Sequence, residues 1–178
     1  GDSELDMRVV TKQYEKFLAL ARGEGFKNVD GEIIEGIKNF DAIKFQVQVE
    51  QKTDFYFNQE LMDSVFQNLI HNAICFSKSK TNNHTPITKI KVKVSEKHVS
   101  VIVADNGLGI SNEFIDKVFD LYFKANSVNS NGAGLGLYIV KRIVDDFNGH
   151  VTVTSKINKG TSFEVILPNL KEGELNND

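Results

Sequence analysis

The stretch Gln67-Asn68-Leu69-Ile70-His71-Asn72-Ala73 decides the fold, because it lies inside the strongest helical pattern of the chain. Apolar residues recur around it with the spacing of one buried helix face: Leu61, Met62, Val65, Phe66, Leu69, Ile70, Ala73 and Ile74. Asn68 and Asn72 are four residues apart, so their amides lie next to each other at the border of that face. Because asparagine is a poor residue inside a helix, the pair indicates either a polar binding site or two solvated side chains.

Length, composition and charge are those of an ordinary globular domain. The 178 residues fit one domain, with room for a fragment of a second. The net charge of −3 gives no support to nucleic-acid binding. The single cysteine, Cys75, excludes an internal disulfide and fits a reducing compartment. No apolar run approaches the roughly 20 residues that span a bilayer, and there is no signal peptide, so we expect a cytoplasmic domain without membrane contact, whose parent protein could still be membrane-anchored.

The first half of the chain has helical periodicity at both ends and strand-like alternation between them. Helices are predicted over residues 5–22 and 31–42, the second capped by Asp30, and strands over residues 45–50 and 53–57. The long helix begins at an Asn58 cap and is predicted to end near Lys80. The first helix has too short an apolar face to be stable alone, so we expect it to pack outside this chain or on a second copy.

The second half alternates clearly between strands and helices. Strands are predicted over residues 90–94 and 98–104, then a short helix from a Ser111 cap to Val118, and a mobile loop over residues 124–134. A helix over residues 135–147 precedes a hairpin of residues 151–156 and 161–167, and a disordered tail begins at residue 171. We therefore predict an α/β (α+β) two-layer sandwich, with a mixed, mainly antiparallel sheet and helices on one face.

Two glycine-rich segments lie at the junctions of these elements. Asp105-x-Gly107-x-Gly109 follows a strand, and Gly132-Ala133-Gly134-Leu135-Gly136-Leu137 opens a helix. A glycine-rich turn at a helix N-terminus suits an anion, since bare N–H groups and the positive end of the dipole point outward. A buried aspartate can accept from the exocyclic amine of adenine, and an asparagine oxygen suits Mg²⁺. The segment over residues 132–137 matches neither the P-loop nor the dinucleotide fingerprint.

Taken in order along residues 30–168, these segments resemble the ATP-binding catalytic domain of two-component sensor histidine kinases, within the gyrase–MutL–histidine kinase ATP-binding superfamily. Five motifs carry the resemblance. The asparagine box of the family is similar to Asn68-Leu69-Ile70-His71-Asn72-Ala73, and its first glycine box is similar to Asp105-Asn106-Gly107-Leu108-Gly109. The phenylalanine box is similar to Phe119-Asp120-Leu121-Tyr122-Phe123, the second glycine box to Gly132-Ala133-Gly134-Leu135-Gly136-Leu137, and the closing glycine–threonine element to Gly160-Thr161-Ser162-Phe163.

The resemblance implies ATP and Mg²⁺ as ligands and gives roles to individual residues. Asn72 would supply an oxygen to Mg²⁺, Asn68 would lie beside the phosphates, and Lys124 would neutralise charge on the γ-phosphate. Asp105 would accept from the adenine amine, and Thr161 would complete the adenine pocket. The nucleotide-binding set that the resemblance implies is Asn68, Asn72, Asp105, Gly107, Gly109, Ile110, Tyr122, Phe123, Gly132, Gly134, Leu135, Gly136, Leu137 and Thr161. Residues 125–133 would form the ATP lid.

The first position of the asparagine box separates the branches of this superfamily. In the gyrase–MutL branch it is a glutamate that activates water, whereas here it is Asn68, so the resemblance implies phosphoryl transfer and disfavours hydrolysis. Cys75 stands where the family often has a lysine, which leaves phosphate neutralisation to Lys124 or predicts slow turnover. A nucleotide-binding regulatory module, or a degenerate kinase without efficient transfer, therefore stays open as an alternative.

The phosphoacceptor histidine of the family is absent from this sequence. His71 lies inside the asparagine box, and His84, His98 and His150 are predicted in a loop or at strand starts. The resemblance divides the chain into residues 1–26, the end of a dimerisation helix with its linker, residues 27–170, the catalytic domain, and residues 171–178, a tail. It implies as partners a dimerisation segment that carries the acceptor histidine and the receiver domain of a response regulator, in a parent that is a homodimer.

Overall fold

A computed structural model describes residues 2–15, 42–121, 123 and 136–170, and the backbone of residues 26–27 and 33–34. The strands are β1 (Asp2–Glu4), β2 (Phe26–Lys27), β3 (Ile33–Ile34), β4 (Lys44–Gln51), β5 (Tyr56–Asn58), β6 (Ile87–Val94), β7 (His98–Asp105), β8 (His150–Lys156) and β9 (Gly160–Pro168). The helices are α1 (Met7–Lys12), α2 (Gln59–Cys75) and α3 (Gly136–Asp146), with a 3₁₀ helix at Asn112–Lys117. No helix among these residues is long and apolar enough to cross a bilayer.

The main sheet has five strands in the order β4-β6-β7-β9-β8. β4 and β6 are parallel, and the other three neighbouring pairs are antiparallel. On β6 the side chains of Ile90, Val92 and Val94 are buried, whereas the alternating lysines are exposed. The buried face packs under α2 and α3, which also contact each other. The predicted two-layer sandwich with a mixed, mainly antiparallel sheet is therefore confirmed.

Helix α2 begins as predicted, because Asn58 Oδ1 accepts a hydrogen bond from Leu61 N at 2.9 Å. It ends at Cys75, however, and the prediction that it continues to near Lys80 is wrong. The reason is tertiary: the carbonyl of Phe76 accepts from Leu108 N at 2.9 Å, which turns the chain away from the helix axis toward the loop after β7. The first glycine box therefore fixes the end of the asparagine-box helix.

The N-terminal segment packs on this domain. β1 pairs with β5, and Leu5 N donates to Phe55 O at 2.7 Å. Leu5, Met7 and Val10 belong to the buried core, so the expectation that this face packs outside the chain is wrong for these residues. The described helix α1 covers Met7–Lys12, with Asp6 as its N-cap, and residues 16–22 of the predicted helix lie outside the described residues. The domain boundary at residue 26 stays a prediction.

Two further elements differ from the sequence analysis. The predicted strand over residues 53–57 is reduced to β5 (Tyr56–Asn58), because the Gln51 side chain holds the chain before it: Nε2 donates to Leu5 O at 3.0 Å and to Thr53 O at 3.3 Å. Ile33–Ile34 form a strand with Phe26–Lys27, so the predicted helix over residues 31–42 is wrong there. Asp30 and the tail from residue 171 lie outside the described residues.

The elements that follow β7 are close to those predicted. Ser111 occupies the N-cap position of the 3₁₀ helix but makes no side-chain capping hydrogen bond, so its predicted capping role is wrong. α3 ends where Asn148 takes a φ of 55°, and Gly149 N donates to Val144 O at 2.8 Å. The predicted hairpin is formed by β8 and β9. Its turn lies beside the loop that follows β7, because Asn158 N donates to Leu108 O at 2.8 Å.

Candidate functional site

The two asparagines of α2 lie in different surroundings. The Asn68 amide donates from Nδ2 to Ser64 O at 2.8 Å and to Ser64 Oγ at 3.2 Å. Its Oδ1 faces the first residue of α3, since an ideal Cβ built on Gly136 would lie 3.0 Å from it. Asn72 is half-buried, and its side-chain amide has no hydrogen-bond partner within the described part of the chain. Asn68 is therefore fixed by its own helix, whereas the Asn72 amide oxygen accepts no hydrogen bond from the residues that the structure describes.

The loop after β7 needs glycine at two positions. An added Cβ at Gly107 would overlap the carbonyl group of Phe76, so a side chain there would separate this loop from the end of α2. Gly109 has a φ of +72°, and an added Cβ would overlap the carbonyl of Lys156 in the β8–β9 hairpin. The two glycines of the first glycine box thus let its backbone pack between α2 and the hairpin.

Asp105 lies at the end of β7, on the buried side of the sheet. Its Oδ1 accepts from Gly107 N at 2.8 Å. Burial raises the pKa of Asp105 to about 6, because desolvation outweighs the backbone N–H groups of Gly107 and Thr161, which lower it. The carboxylate is therefore half-shielded from water, ionised at pH 7 and able to accept from a polar ligand group.

Thr161 is the register partner of Asp105 on β9 and is only 4% exposed. Its Oγ1 lies 2.8 Å from Ser155 Oγ on β8, and either hydroxyl can be the donor. Ser155 Oγ also accepts from Ile110 N at 2.7 Å and lies 3.0 Å from Gly160 O, to which it can donate. Ser155 therefore joins three predicted site elements: the loop after β7, Thr161 and the hairpin turn.

A short chain of contacts connects the asparagine helix to Asp105. The Asn72 carbonyl accepts from Phe76 N at 3.1 Å, and the Phe76 carbonyl accepts from Leu108 N at 2.9 Å. Gly107, next to Leu108, donates to the Asp105 carboxylate. The fold thus brings Asn68, Asn72, Asp105 and Thr161 to the same end of the sheet, as the spacing of the motifs requires.

The remaining predicted site residues divide into placed and undescribed ones. Leu137 packs on the core from α3, and Ile110 is buried. Phe123 packs on Phe114, with ring centroids 5.7 Å apart. Five residues of the predicted set lie outside the described residues: Tyr122, Lys124, Gly132, Gly134 and Leu135.

His71 and Cys75 lie side by side on α2. The Cys75 Sγ is 3.4 Å from His71 Nε2, and Cys75 is 7% exposed. Burial lowers the pKa of His71, so the imidazole is neutral at pH 7. The position at which the family often has lysine is therefore buried here and has no basic side chain.

Two contributors to this region were missed in the sequence analysis. One is Ser155, and the other is the Phe76 carbonyl, a backbone group that no side-chain pattern can reveal. Ser155 did leave a signal, because it follows Val151 and Val153 at the inward-facing positions of β8, where a third apolar residue is expected. A polar residue at an inward position of a strand end is thus a usable sign of a site.

The residues present fit a magnesium ion that is held mainly by phosphates and water. Asn72 offers an amide oxygen that no other described residue uses, and such an oxygen is the hard ligand that Mg²⁺ prefers. The described residues contain no cluster of three histidine, cysteine or acidic side chains. One protein oxygen beside a polyphosphate matches the way Mg²⁺ is usually bound with nucleotides.

Residues 57–171 match the family model described as histidine kinase-, DNA gyrase B-, and HSP90-like ATPase. Among curated proteins, the chain is 27% identical over 177 residues to the signal transduction histidine-protein kinase ArlS of Staphylococcus haemolyticus. This match covers 90% of this chain and 38% of ArlS. It is 30% identical over 151 residues to the sensor protein RprX of Bacteroides fragilis, covering 79% of this chain and 28% of RprX. The chain thus spans well under half the length of these curated relatives.

Solved structures share the fold. The catalytic domain of the histidine kinase ThkA superposes with a TM-score of 0.70 at 21% identity, covering 95% of this chain and 98% of that one. The mycobacterial sensor histidine kinase MprB gives a TM-score of 0.69 at 21% identity, covering 93% and 97%. Full-length ShkA in complex with AMPPNP gives 0.70 at 18% identity, and the match covers 94% of this chain and 31% of ShkA.

Proposed function

The chain belongs to the family of histidine kinase-, DNA gyrase B- and HSP90-like ATPases, as the ATP-binding catalytic domain of a sensor histidine kinase, and we propose that it transfers the γ-phosphoryl group of ATP to a histidine. The acceptor would lie on a dimerisation segment of a homodimeric parent, and the phosphoryl group would pass on to a response regulator receiver domain. One observation carries the proposal: Asn72 and Asp105, from separate motifs, are joined through Phe76 and the glycine loop at one end of the sheet.

The proposed binding mode uses the two ends of this site differently. Asp105 accepts from the adenine amine, with Thr161 beside it, and Ile110, Gly107 and Gly109 lie along the base. Asn72 holds Mg²⁺, which when bound neutralises charge on the phosphates. These roles, and those of Lys124, Tyr122 and the second glycine box, rest on the motif positions. A cytoplasmic location follows from the use of ATP and stays a prediction.

Transfer is favoured over hydrolysis by the chemistry of Asn68. The Asn68 amide is not a base comparable to a carboxylate, and its Nδ2 group already donates to Ser64 O. Without a general base to activate water, the domain contributes positioning and charge neutralisation, which is how most phosphoryl transfer is catalysed. The acceptor imidazole would be the nucleophile.

The test combines this chain with the separately produced dimerisation segment of its parent, γ-labelled ATP and Mg²⁺. We expect acid-labile, base-stable label on that segment, lost with Asn72→Ala and kept with Gln67→Ala, an exposed amide on the same helix. ATP binding without transfer would favour the regulatory module or degenerate kinase. Absence of nucleotide binding in calorimetry would contradict the proposal, and phosphate release by the chain alone would favour a hydrolase.

A further inference from the structure

Four polar side chains form a row across the end of the sheet. Thr88 on β6 pairs with Asp105 on β7, Asp105 pairs with Thr161 on β9, and Thr161 pairs with Ser155 on β8. Each of the four lies two residues along its strand from an inward-facing residue. Because side chains two residues apart lie on the same face of a strand, all four point to the helix-facing side. The row therefore runs through the proposed base-binding residues and extends one strand beyond them, to Thr88.

Thr88 differs from the rest of the row. The residue is 1% exposed, and its buried Oγ1 has no hydrogen-bond partner among the described residues. By comparison, Thr11 is a deeply buried threonine that does not belong to the row, and its hydroxyl donates to Met7 O at 2.6 Å. Leaving a buried hydroxyl without a partner costs about 1–3 kcal/mol, so the Thr88 hydroxyl calls for a partner that a bound ligand or an ordered water brings into reach.

The register leaves one polar neighbour for this hydroxyl. On the β4 side Thr88 pairs with Phe45, which is apolar, and on the β7 side it pairs with Asp105. Side chains paired in this way have Cβ atoms about 4.5–5.5 Å apart, which a threonine hydroxyl and a carboxylate can bridge directly or through one water. Asp105 has acceptor capacity to spare, since a carboxylate offers about four lone pairs and the backbone N–H groups of Gly107 and Thr161 use two of them.

We propose that Thr88 is a positioning residue for base selection, whose hydroxyl donates to the Asp105 carboxylate when a nucleotide binds and holds it against the exocyclic amine of adenine. The inference rests on the proposed function, because it assigns a further residue to the same site. A donor beside the carboxylate also favours its ionised form, which is the form that accepts from the amine and which burial disfavours.

The test measures two ligands with two variants. Thr88→Val removes the hydroxyl and keeps the shape, and Thr88→Ser keeps the hydroxyl. Calorimetry is done with Mg-ATP and with the Mg complex of purine riboside triphosphate, which is ATP without the 6-amine. We expect Thr88→Val to weaken ATP binding about five- to tenfold and to leave the amine-free nucleotide unchanged, with Thr88→Ser within about twofold of the unchanged protein for both.

A stability measurement separates positioning from a structural role. Because Thr88→Val removes an unpartnered hydroxyl, its thermal midpoint should equal or exceed that of the unchanged protein while its ATP affinity falls. Thr11→Val is the matched control: it loses a hydrogen-bonded buried hydroxyl on α1, which is not a member of the row, so it should lower the midpoint and leave the ratio of the two affinities unchanged.

The outcomes distinguish this inference from the function on which it rests. If the unchanged chain binds ATP and Thr88→Val binds both nucleotides as well as it does, or loses both equally, Thr88 has no part in base selection, although the proposed function stands. If the unchanged chain binds neither nucleotide, the proposed function itself fails. Should Thr88→Val not fold, Thr88→Ala against Thr88→Ser carries the same comparison.

Discussion

The two ends of the candidate site differ in how much the protein itself holds in place. At the base end, defined here as Asp105, Gly107, Ser155 and Thr161, every residue is hydrogen-bonded to another part of the site. The phosphate end is defined as Asn68, Asn72 and Gly136. Within the described part of the chain, the Asn68 amide bonds to Ser64 of its own helix and the Asn72 amide has no partner.

This difference indicates how the binding energy is divided. A group that is already positioned loses little entropy when the ligand arrives, so the base end is preorganised for selection. In the proposed binding mode, the phosphate end depends on Mg²⁺ and on the phosphates to complete its coordination. Changes at the phosphate end should therefore act only when metal is present, whereas changes at the base end should act with and without it.

The largest effect is expected from Asn72→Ala. Loss of the proposed metal-binding oxygen should weaken Mg-ATP binding at least as much as loss of an outer-shell metal partner, which costs about 10–100-fold. In excess chelator the variant and the unchanged protein should bind ATP equally weakly. Calorimetry with Gln67→Ala as control measures both, and an Asn72→Ala deficit that persists in chelator would place Asn72 outside the metal site.

Asp105→Asn should weaken ATP binding about tenfold to hundredfold with or without metal, because a hydrogen bond to a charged group contributes about 1.5–3 kcal/mol. It should also stabilise the nucleotide-free domain at pH 7. The pKa of the Asp105 carboxyl is raised on folding, to about 6. The free energy of unfolding therefore falls as pH rises from the carboxyl pKa of the unfolded chain to that of the folded one, by up to about 3 kcal/mol in total.

Denaturant unfolding at pH 7 tests the second part of that expectation. Asp145→Asn is its control, because Asp145 is exposed on α3, where it forms an ion pair with Lys141, and its loss should change stability by less than about 0.5 kcal/mol. A destabilised Asp105→Asn variant would show that the carboxylate holds the loop together, and base selection would then not be the reason for its burial.

The alternation of buried and exposed residues was enough to predict most of the sheet. β6, β7, β8 and β9 each have one buried face, so a period of two appears in their sequences. The N-terminal segment could not be predicted in the same way, since β1 pairs with β5 across more than fifty residues and carries no alternation of its own. Its polar, three-residue strand is stabilised entirely by non-local contacts.

The site was predictable where function depends on residue type and unpredictable where it depends on position. Asn68, Asn72, Asp105 and the glycines were found from their motifs, and the structure brings the described ones to one end of the sheet. The end of α2 was not found, because a backbone hydrogen bond to Leu108 sets it. The role predicted for Lys124 and the ATP lid predicted over residues 125–133 stay predictions.

The pH dependence of binding sharpens the assignment of the base end. In the proposed binding mode the ionised Asp105 accepts from adenine, and its pKa is about 6 in the nucleotide-free protein. ATP affinity should therefore fall about tenfold per pH unit below pH 6 and be flat above pH 7. Asp105→Asn shares the titration of the phosphates but lacks the carboxyl, so the ratio of the two affinities isolates Asp105. A ratio independent of pH between 5 and 7 would contradict the assignment.

The smallest effect on binding is expected from Ser155→Ala, which tests whether the preorganisation of the base end comes from the hairpin. The variant leaves the Ile110 N–H without its acceptor and the Thr161 hydroxyl without its neighbour, so the free energy of unfolding should fall by about 1–3 kcal/mol. The thermal midpoint should fall by about 2–4 °C for each kcal/mol lost. ATP affinity should fall only a few-fold, since Asp105 keeps its bond from Gly107. The matched control is Ser100→Ala, which loses a 3.3 Å contact with Glu164 on the outer face of the same sheet. An equal loss of stability in the two variants would show that Ser155 does not hold the base end in place.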